Sequence, residues 1–117
     1  MNRIVINTHE LSTEIQRTEY QLAQGMQGRT WQGIESMYFV MRPGMHVFHT
    51  RNCIVPMDII FITRGKITKI YPNCPPNSPH SYTGFADAAV ELPANTVFSK
   101  KITIGQPVTL WQDKDHI

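Results

Sequence analysis

A chain of 117 residues, 41% hydrophobic and 17% charged, has the length of one domain and the apolar content for a real core, which excludes disorder. The formal net charge is only +2, and basic residues are scattered from Arg3 to Lys114, with Lys100-Lys101 the sole adjacent pair. That pattern lacks the dense basic stripe of a phosphate-tracking surface, and no run approaches the ~18 apolar residues of a membrane helix, so neither nucleic acid nor membrane is expected as a partner.

In chain order, Arg3 to Ile6 reads as a short strand rich in β-branched residues. Thr13-Glu14-Ile15-Gln16 fits a capping box, with Glu14 favourable in the first turn, and Ile15, Leu22 and Met26 fall on one helical stripe. These signals predict a helix over 14–24, stopped at Gly25. Gly28 to Gly33 is a loop in which Trp31 plugs the edge of the core. Ser36 to Met41 is a strand ended by Pro43-Gly44, and Met45 to Ile54 is the next. Met57 to Thr63 is nearly all apolar, as in a strand buried on both faces. Arg64-Gly65 is a two-residue turn, with positive φ expected at Gly65, into Lys66 to Tyr71. Pro72 to Pro79 holds four of the eight prolines and reads as loop. Phe85 to Leu92 is a strand, Asn95 to Lys101 one helical turn, and Gly105-Gln106-Pro107 a turn into a last strand, Val108 to Trp111. The predicted fold is mainly β, a small sandwich or barrel with one short N-terminal helix, in a single domain over 1–117.

The most informative stretch runs from Phe48 to Ile62. His49, Arg51, Asn52 and Asp58 lie inside a run apolar enough to be core. A carboxylate beside Ile59-Ile60-Phe61-Ile62 is costly to bury unless paired and hydrogen-bonded, so Asp58 is either structural or part of a site.

The order of motifs resembles the domain of unknown function 192 family, a set of small bacterial, archaeal and phage-borne proteins, over about residues 3–111. The residues that carry the likeness are Gly25-Met26 with Arg29, Ser36-Met37-Tyr38-Phe39, the central Phe48-His49-Thr50-Arg51-Asn52-Cys53 with Pro56-Met57-Asp58-Ile59, Asn73-Cys74-Pro75, Val90-Glu91-Leu92 and Gly105-Gln106. His49 stands where the family's usual residue is Trp, Arg51 where it is Lys, Cys53 where it is Thr, Asn95 where it is Gly, and Gln106 where it is Asp. The resemblance implies a compact jelly-roll-like β fold and brings no activity with it.

Two arrangements of the polar residues follow. In a functional one, Arg29, His49, Arg51, Asn52, Asp58 and Glu91 surround a cleft in which Arg51 clamps an anion and a carboxylate accepts from ligand hydroxyls. In a structural one, Asp58 accepts backbone amides or pairs with Arg51 or Arg29, pinning two sheets, and Glu91 is solvated on an outer face. Strand alternation places His49, Arg51 and Cys53 on one face. The residues His46, His49, Cys53, Cys74 and His80 show no metal-ligand spacing, so no metal and no cofactor is expected. Cys53 and Cys74 are expected as free thiols. Of Trp31, Trp111, Tyr38, Tyr71, Tyr82 and Phe85, most read as seals of a small β core rather than a sugar platform.

The function expected from these residues is a non-catalytic binding or accessory module for a small polar ligand or saccharide, with the cleft around Arg51 and Asp58. One alternative is a hydrolase-like enzyme using Asp58 with His49 or Glu91, which requires those groups to converge on one face. Another is a structural or virion-associated oligomeric protein. The N-terminal apolar stretch is too short for a signal peptide, so the expected location is the cytoplasm, or a virion or host cytoplasm if the protein is phage-borne.

Overall fold

The structure is a computed structural model, described here for residues 2–113. Eight strands and two short helices follow in the order β1 (Arg3–Ile6), β2 (His9–Ser12), β3 (Glu14–Gln16), α1 (Glu19–Gln24), β4 (Met37–Phe48), β5 (Met57–Thr63), β6 (Lys66–Cys74), β7 (Tyr82–Pro93), α2 (Thr96–Ser99) and β8 (Val108–Trp111). They form a three-stranded sheet, β2-β1-β8, and a five-stranded sheet, β3-β4-β7-β5-β6; neither closes into a barrel.

The large sheet is covered on both faces. One face packs Ile60, Ile62, Ala88, Val90 and Leu92 against Ile4, Ile6 and Val108 of the small sheet. The other packs Phe39, Ile59, Phe61, Tyr82 and Ala89 beneath Met26, with Leu22 of α1 and Trp31 at its margin. Alternation along β5 therefore sends Ile60 and Ile62 one way and Ile59 and Phe61 the other, and every residue from Met57 to Ile62 is buried.

Several predicted boundaries move, each for a physical reason. The helix begins at Glu19, and its capping box is Thr18 with Gln21: the Gln21 amide donates to Thr18 Oγ1, and Gln21 Oε1 accepts from the Thr18 amide. The sequence holds the same Thr-x-x-Gln spacing twice. The earlier copy lies instead at β3, which pairs in parallel with Met37–Phe39. Gly25 does end the helix, with φ of 46°.

Pro43-Gly44 does not break β4. The strand shifts register between Val40 and Gly44, and β3 reaches only to Phe39, so Pro43 occupies an unpaired edge where its missing N–H costs no ladder bond. For the same reason the outermost strand β6 runs on through Pro72 to Cys74. The Arg64-Gly65 hairpin has φ of 50° and 76°, the positive pair of a type I′ turn, and the Arg64 amide donates to Asp87 Oδ2. Residues 49–54 are a turn rather than strand, so the shared face expected for His49, Arg51 and Cys53 does not exist.

A candidate site floored by Glu91

Register alone separates the two carboxylates. Asp58 pairs with Leu92 and Ile59 with Glu91, so Asp58 points to the small-sheet side and Glu91 to the opposite side, with Phe39 and Ala89. The two cannot act together as an acid/base pair, and Asp58 does not converge with Glu91.

Asp58 is fully buried and its oxygens are already taken. Oδ1 accepts from the Asn73 amide at 2.7 Å and the Asn95 amide at 3.3 Å; Oδ2 accepts from the Val97 amide at 2.8 Å. The companions of this buried anion are thus backbone donors, with neither Arg29 nor Arg51 among them. Asn95 precedes α2 without capping it by its own side chain, so Asp58 reaches across from β5 to cap that helix and ties the end of β6 to the β7–α2 connection.

Arg29 is committed elsewhere. Its guanidinium holds Glu14 in a two-pronged pair, Nη1 to Oε1 at 2.6 Å and Nη2 to Oε2 at 2.9 Å, which ties the loop after α1 to β3. That pair holds the Glu14 carboxyl below its usual range. Arg51 and Asn52 are exposed in the 49–54 turn, and Asn52 has φ of 61°. The turn is anchored by buried Thr50, which donates to the Pro75 carbonyl at 2.7 Å and accepts from the Ser78 amide at 3.1 Å. A bridge between Gln27 and Cys53, with the Gly28 amide on the Asn52 carbonyl, joins the turn to the segment after α1.

Of the six expected site residues, His49 and Glu91 line one pocket, of about 110 Å³, between the end of α1 and the 49–54 turn. Gly25, Met26, Phe39 and Cys53 complete the inner wall. Glu91 is 4% exposed rather than solvated, because β7 is central in its sheet and both faces are covered. Its Oε1 has no hydrogen-bond partner, and burial pushes the carboxyl up to about 8. It is thus largely an uncharged acid at neutral pH. A Cβ at residue 25 would lie 3.8 Å from that oxygen, so the helix end closes directly over it. His49 Nδ1 accepts from the Arg51 amide at 3.2 Å, which puts the neutral ring's proton on Nε2.

The thiols do not offer a nucleophile. Cys53 and Cys74 are free and buried. Burial pushes both up to about 11, with Glu91 adding to it at Cys53 and Asp58 and Glu91 at Cys74, so the thiolate is scarce at neutral pH. Among the described residues no three His, Cys, Asp or Glu side chains stand together as a metal cluster, and no helix is long and apolar enough to cross a membrane. Tyr71 and Tyr82 belong to an edge-to-face aromatic chain with Phe39, Phe48 and Phe61, while Trp111 and Phe85 are exposed; the aromatics do not gather into a platform.

The sequence reading missed the role of the α1 end and of Phe39. The available signal was Ala88-Ala89-Val90-Glu91-Leu92, apolar on both sides of the acid, which marks a strand buried on both faces.

Comparison with known proteins accords with this fold. A search of curated proteins gives no match. A crystal structure of a protein of unknown function from Novosphingobium aromaticivorans DSM 12444 is similar with a TM-score of 0.85 and 27% identity, covering 92% of this chain and 83% of that one. A crystal structure of a putative transcription regulator from Sinorhizobium meliloti 1021 has the same fold, with a TM-score of 0.85 and 23% identity over 93% of this chain and 91% of that one. The sequence profile of the domain of unknown function 192 family, DUF192, described as an uncharacterized ACR, matches residues 2–110, and the chain belongs to that family.

Proposed function

We propose that the protein is a small-ligand-binding module whose site is the pocket floored by Glu91, not the surroundings of Arg51 and Asp58. The observation that carries this reading is the unpartnered Glu91 Oε1 at the pocket wall. A buried oxygen without a partner costs about 1–3 kcal/mol, and a ligand that supplies the missing bond recovers it. Asp58, by contrast, is fully buried and already accepts three backbone amides, which makes it a structural anchor rather than a ligand contact. The test is an amide NMR titration with small alcohols, amines, amides and saccharides. Saturable shifts at Gly25, Met26 and Cys53 are expected for one of these classes, and silence of all three amides at millimolar concentrations would remove the reading.

A second reading, a hydrolase-like enzyme, has one observation behind it. An acid that keeps its proton at neutral pH shares a pocket with His49, and such an acid is a competent general acid. It would use Glu91 and His49 without Asp58. Turnover of small ester or glycoside substrates that disappears in Glu91→Gln, with the fold intact, would favour it.

A further inference from the structure

The Glu91 pocket does not end at its own mouth. A broader groove of about 710 Å³ adjoins it along α1 and β4, and Leu22, Ala23, Phe39, Val47 and Phe48 line both. The two ends of this paired cleft differ in chemistry. Arg17, Arg42 and His46 stand at the outer end, with Glu19 as the acidic residue there. Arg42 is exposed, and its guanidinium has no ion-pair partner among the described residues. The middle is walled by Phe39, Phe48 and Leu22. At the inner end stands the orphaned Glu91 carboxyl. Gln27 lines the same inner pocket with its Nε2 given to the Ala23 carbonyl, which leaves its amide oxygen as an acceptor.

The inner end therefore carries acceptors and lacks a cation. From α1 and its C-terminus come Leu22, Ala23, Gln24 and Gly25, none of them charged. From the 49–54 turn come His49 and Cys53. Cys74 of β6 lies close enough to feel the carboxyl, and the strands on either side of Glu91 present Met37 and Ile59. Arg29 and Glu14 belong to the same side of the sheet but neutralise one another, with Glu14 two strands away in register, at about 10 Å by strand spacing. A buried acid without a counter-ion, joined by an apolar channel to a cationic mouth, is complementary to a molecule of opposite polarity.

We infer that the cleft takes a small zwitterion, with an ammonium group against Glu91, an apolar chain over Phe39 and Phe48, and an anionic group at Arg17 and Arg42. This rests on the binding-site reading above and names its ligand class. Seating the ammonium requires the Glu91 carboxyl to ionise, so its proton leaves to solvent as the ion pair forms. The apolar middle selects against glycine-like molecules, in which the two charges are adjacent, in favour of ω-amino acids.

The experiment is calorimetric titration of the full chain with 6-aminohexanoate, hexanoate, hexylamine and 6-hydroxyhexanoate, in buffers of different ionisation enthalpy. The ω-amino acid is expected to bind at least about tenfold more tightly than hexanoate or hexylamine, one lost charge contact being worth that factor. Its binding at pH 7 should release roughly 0.9 proton per site, given a carboxyl that titrates at about 8. Affinity should rise about tenfold from pH 6 to 7 and level off above 8. Glu91→Gln should abolish the proton release; Arg42→Ala should weaken 6-aminohexanoate but not hexylamine. Proton release and the pH profile are read on the unaltered chain, so the test survives a variant that fails to fold. Equal binding of 6-hydroxyhexanoate or hexanoate, without proton release, overturns the zwitterion and leaves the pocket reading intact. If no probe binds and the Gly25, Met26 and Cys53 amides stay silent across the wider ligand panel, both fall.

Discussion

Asp58 and Glu91 sit one residue out of register on adjacent strands and face opposite sides of the same sheet. Both are buried, yet their environments have nothing else in common. Asp58 accepts three backbone amides and serves as the cap of α2. Glu91 Oε1 accepts none and abuts a pocket. A buried charge is tolerated where donors surround it, and a buried acid without donors keeps its proton instead. The fold thus keeps its structural carboxylate and its candidate site carboxyl on separate faces, so either can be altered without directly touching the other's contacts.

Removal of the Asp58 carboxylate should cost stability and not binding. Asp58→Ala leaves the Asn73, Asn95 and Val97 amides without their acceptor in the interior, and hydrogen bonds to a charged group contribute about 1.5–3 kcal/mol each before relaxation and water entry. A loss of roughly 3–5 kcal/mol is expected in urea unfolding, with Asp58→Asn losing less because one acceptor oxygen remains. A change below about 1 kcal/mol would show that the three bonds contribute nothing net.

Glu91 should make the protein less stable as pH rises through neutrality. The sign follows from its folded value of about 8 against an ordinary one near 4.5. Between those values the folded state holds a proton that the unfolded chain has released, so stability falls with rising pH across that window and is flat outside it. The total amounts to several kcal/mol at ~1.4 kcal/mol per unit. Glu14 works the other way: its lowered value gives stability present above its unfolded value and lost as pH falls through the folded one, and the half-exposed pair with Arg29 makes that contribution small. Denaturation at several pH values should therefore show a decline from pH 5 to 8 that Glu91→Gln removes. A wild-type curve that is level over this range would place the Glu91 proton in solvent.

Much of this architecture was legible in the chain. The β5 run and the Arg64-Gly65 hairpin follow from local composition, because a long apolar run and a two-residue turn ending in glycine each have few alternatives. The errors arose where tertiary pairing overrides a local signal. Thr13-x-x-Gln16 and Thr18-x-x-Gln21 are equivalent as caps, and pairing with β4 decides between them. Pro43 and Pro72 read as breakers until each is known to lie on a free edge, Pro43 on the part of β4 beyond the end of β3 and Pro72 on the outermost strand β6. At the site, alternation along Val90-Glu91-Leu92 identifies two faces but cannot say that both are covered. That depends on Met26 and α1, some 65 residues away in sequence, closing over Glu91.

The two thiols should be slow to react. Each is buried, with its ionisation pushed to about 11 from an ordinary value near 9. The thiolate, which is the reacting species, is therefore about a hundredfold scarcer at neutral pH than in the unfolded chain, before access is considered. Ellman's reagent should modify Cys53 and Cys74 at least about a hundredfold more slowly in buffer than in 6 M guanidinium. Fast reaction of Cys53 alone would mean that the turn from His49 to Ile54 opens readily, and the pocket wall with it.

Gly84 should not tolerate a methyl group. It lies on β7 opposite His46, and an added Cβ would stand 3.0 and 3.2 Å from two atoms of the Phe61 ring. That ring has little freedom to retreat, being fully buried and packed edge-on against Phe48 at 5.3 Å and Tyr71 at 6.1 Å between centroids. Overpacking of a filled core costs about 1–3 kcal/mol, and Gly84→Ala should fall in that range despite the better strand propensity of alanine. The cause is separable by a double-mutant cycle with Phe61→Leu. If the methyl–ring clash is responsible, Gly84→Ala should cost about 1 kcal/mol less in the leucine background; additive losses would point to the backbone at residue 84. Because Phe48 also lines the Glu91 pocket, a Phe61 ring pushed toward it should alter the Gly25 and Met26 amide shifts as well, which ties core packing on this face to the shape of the site.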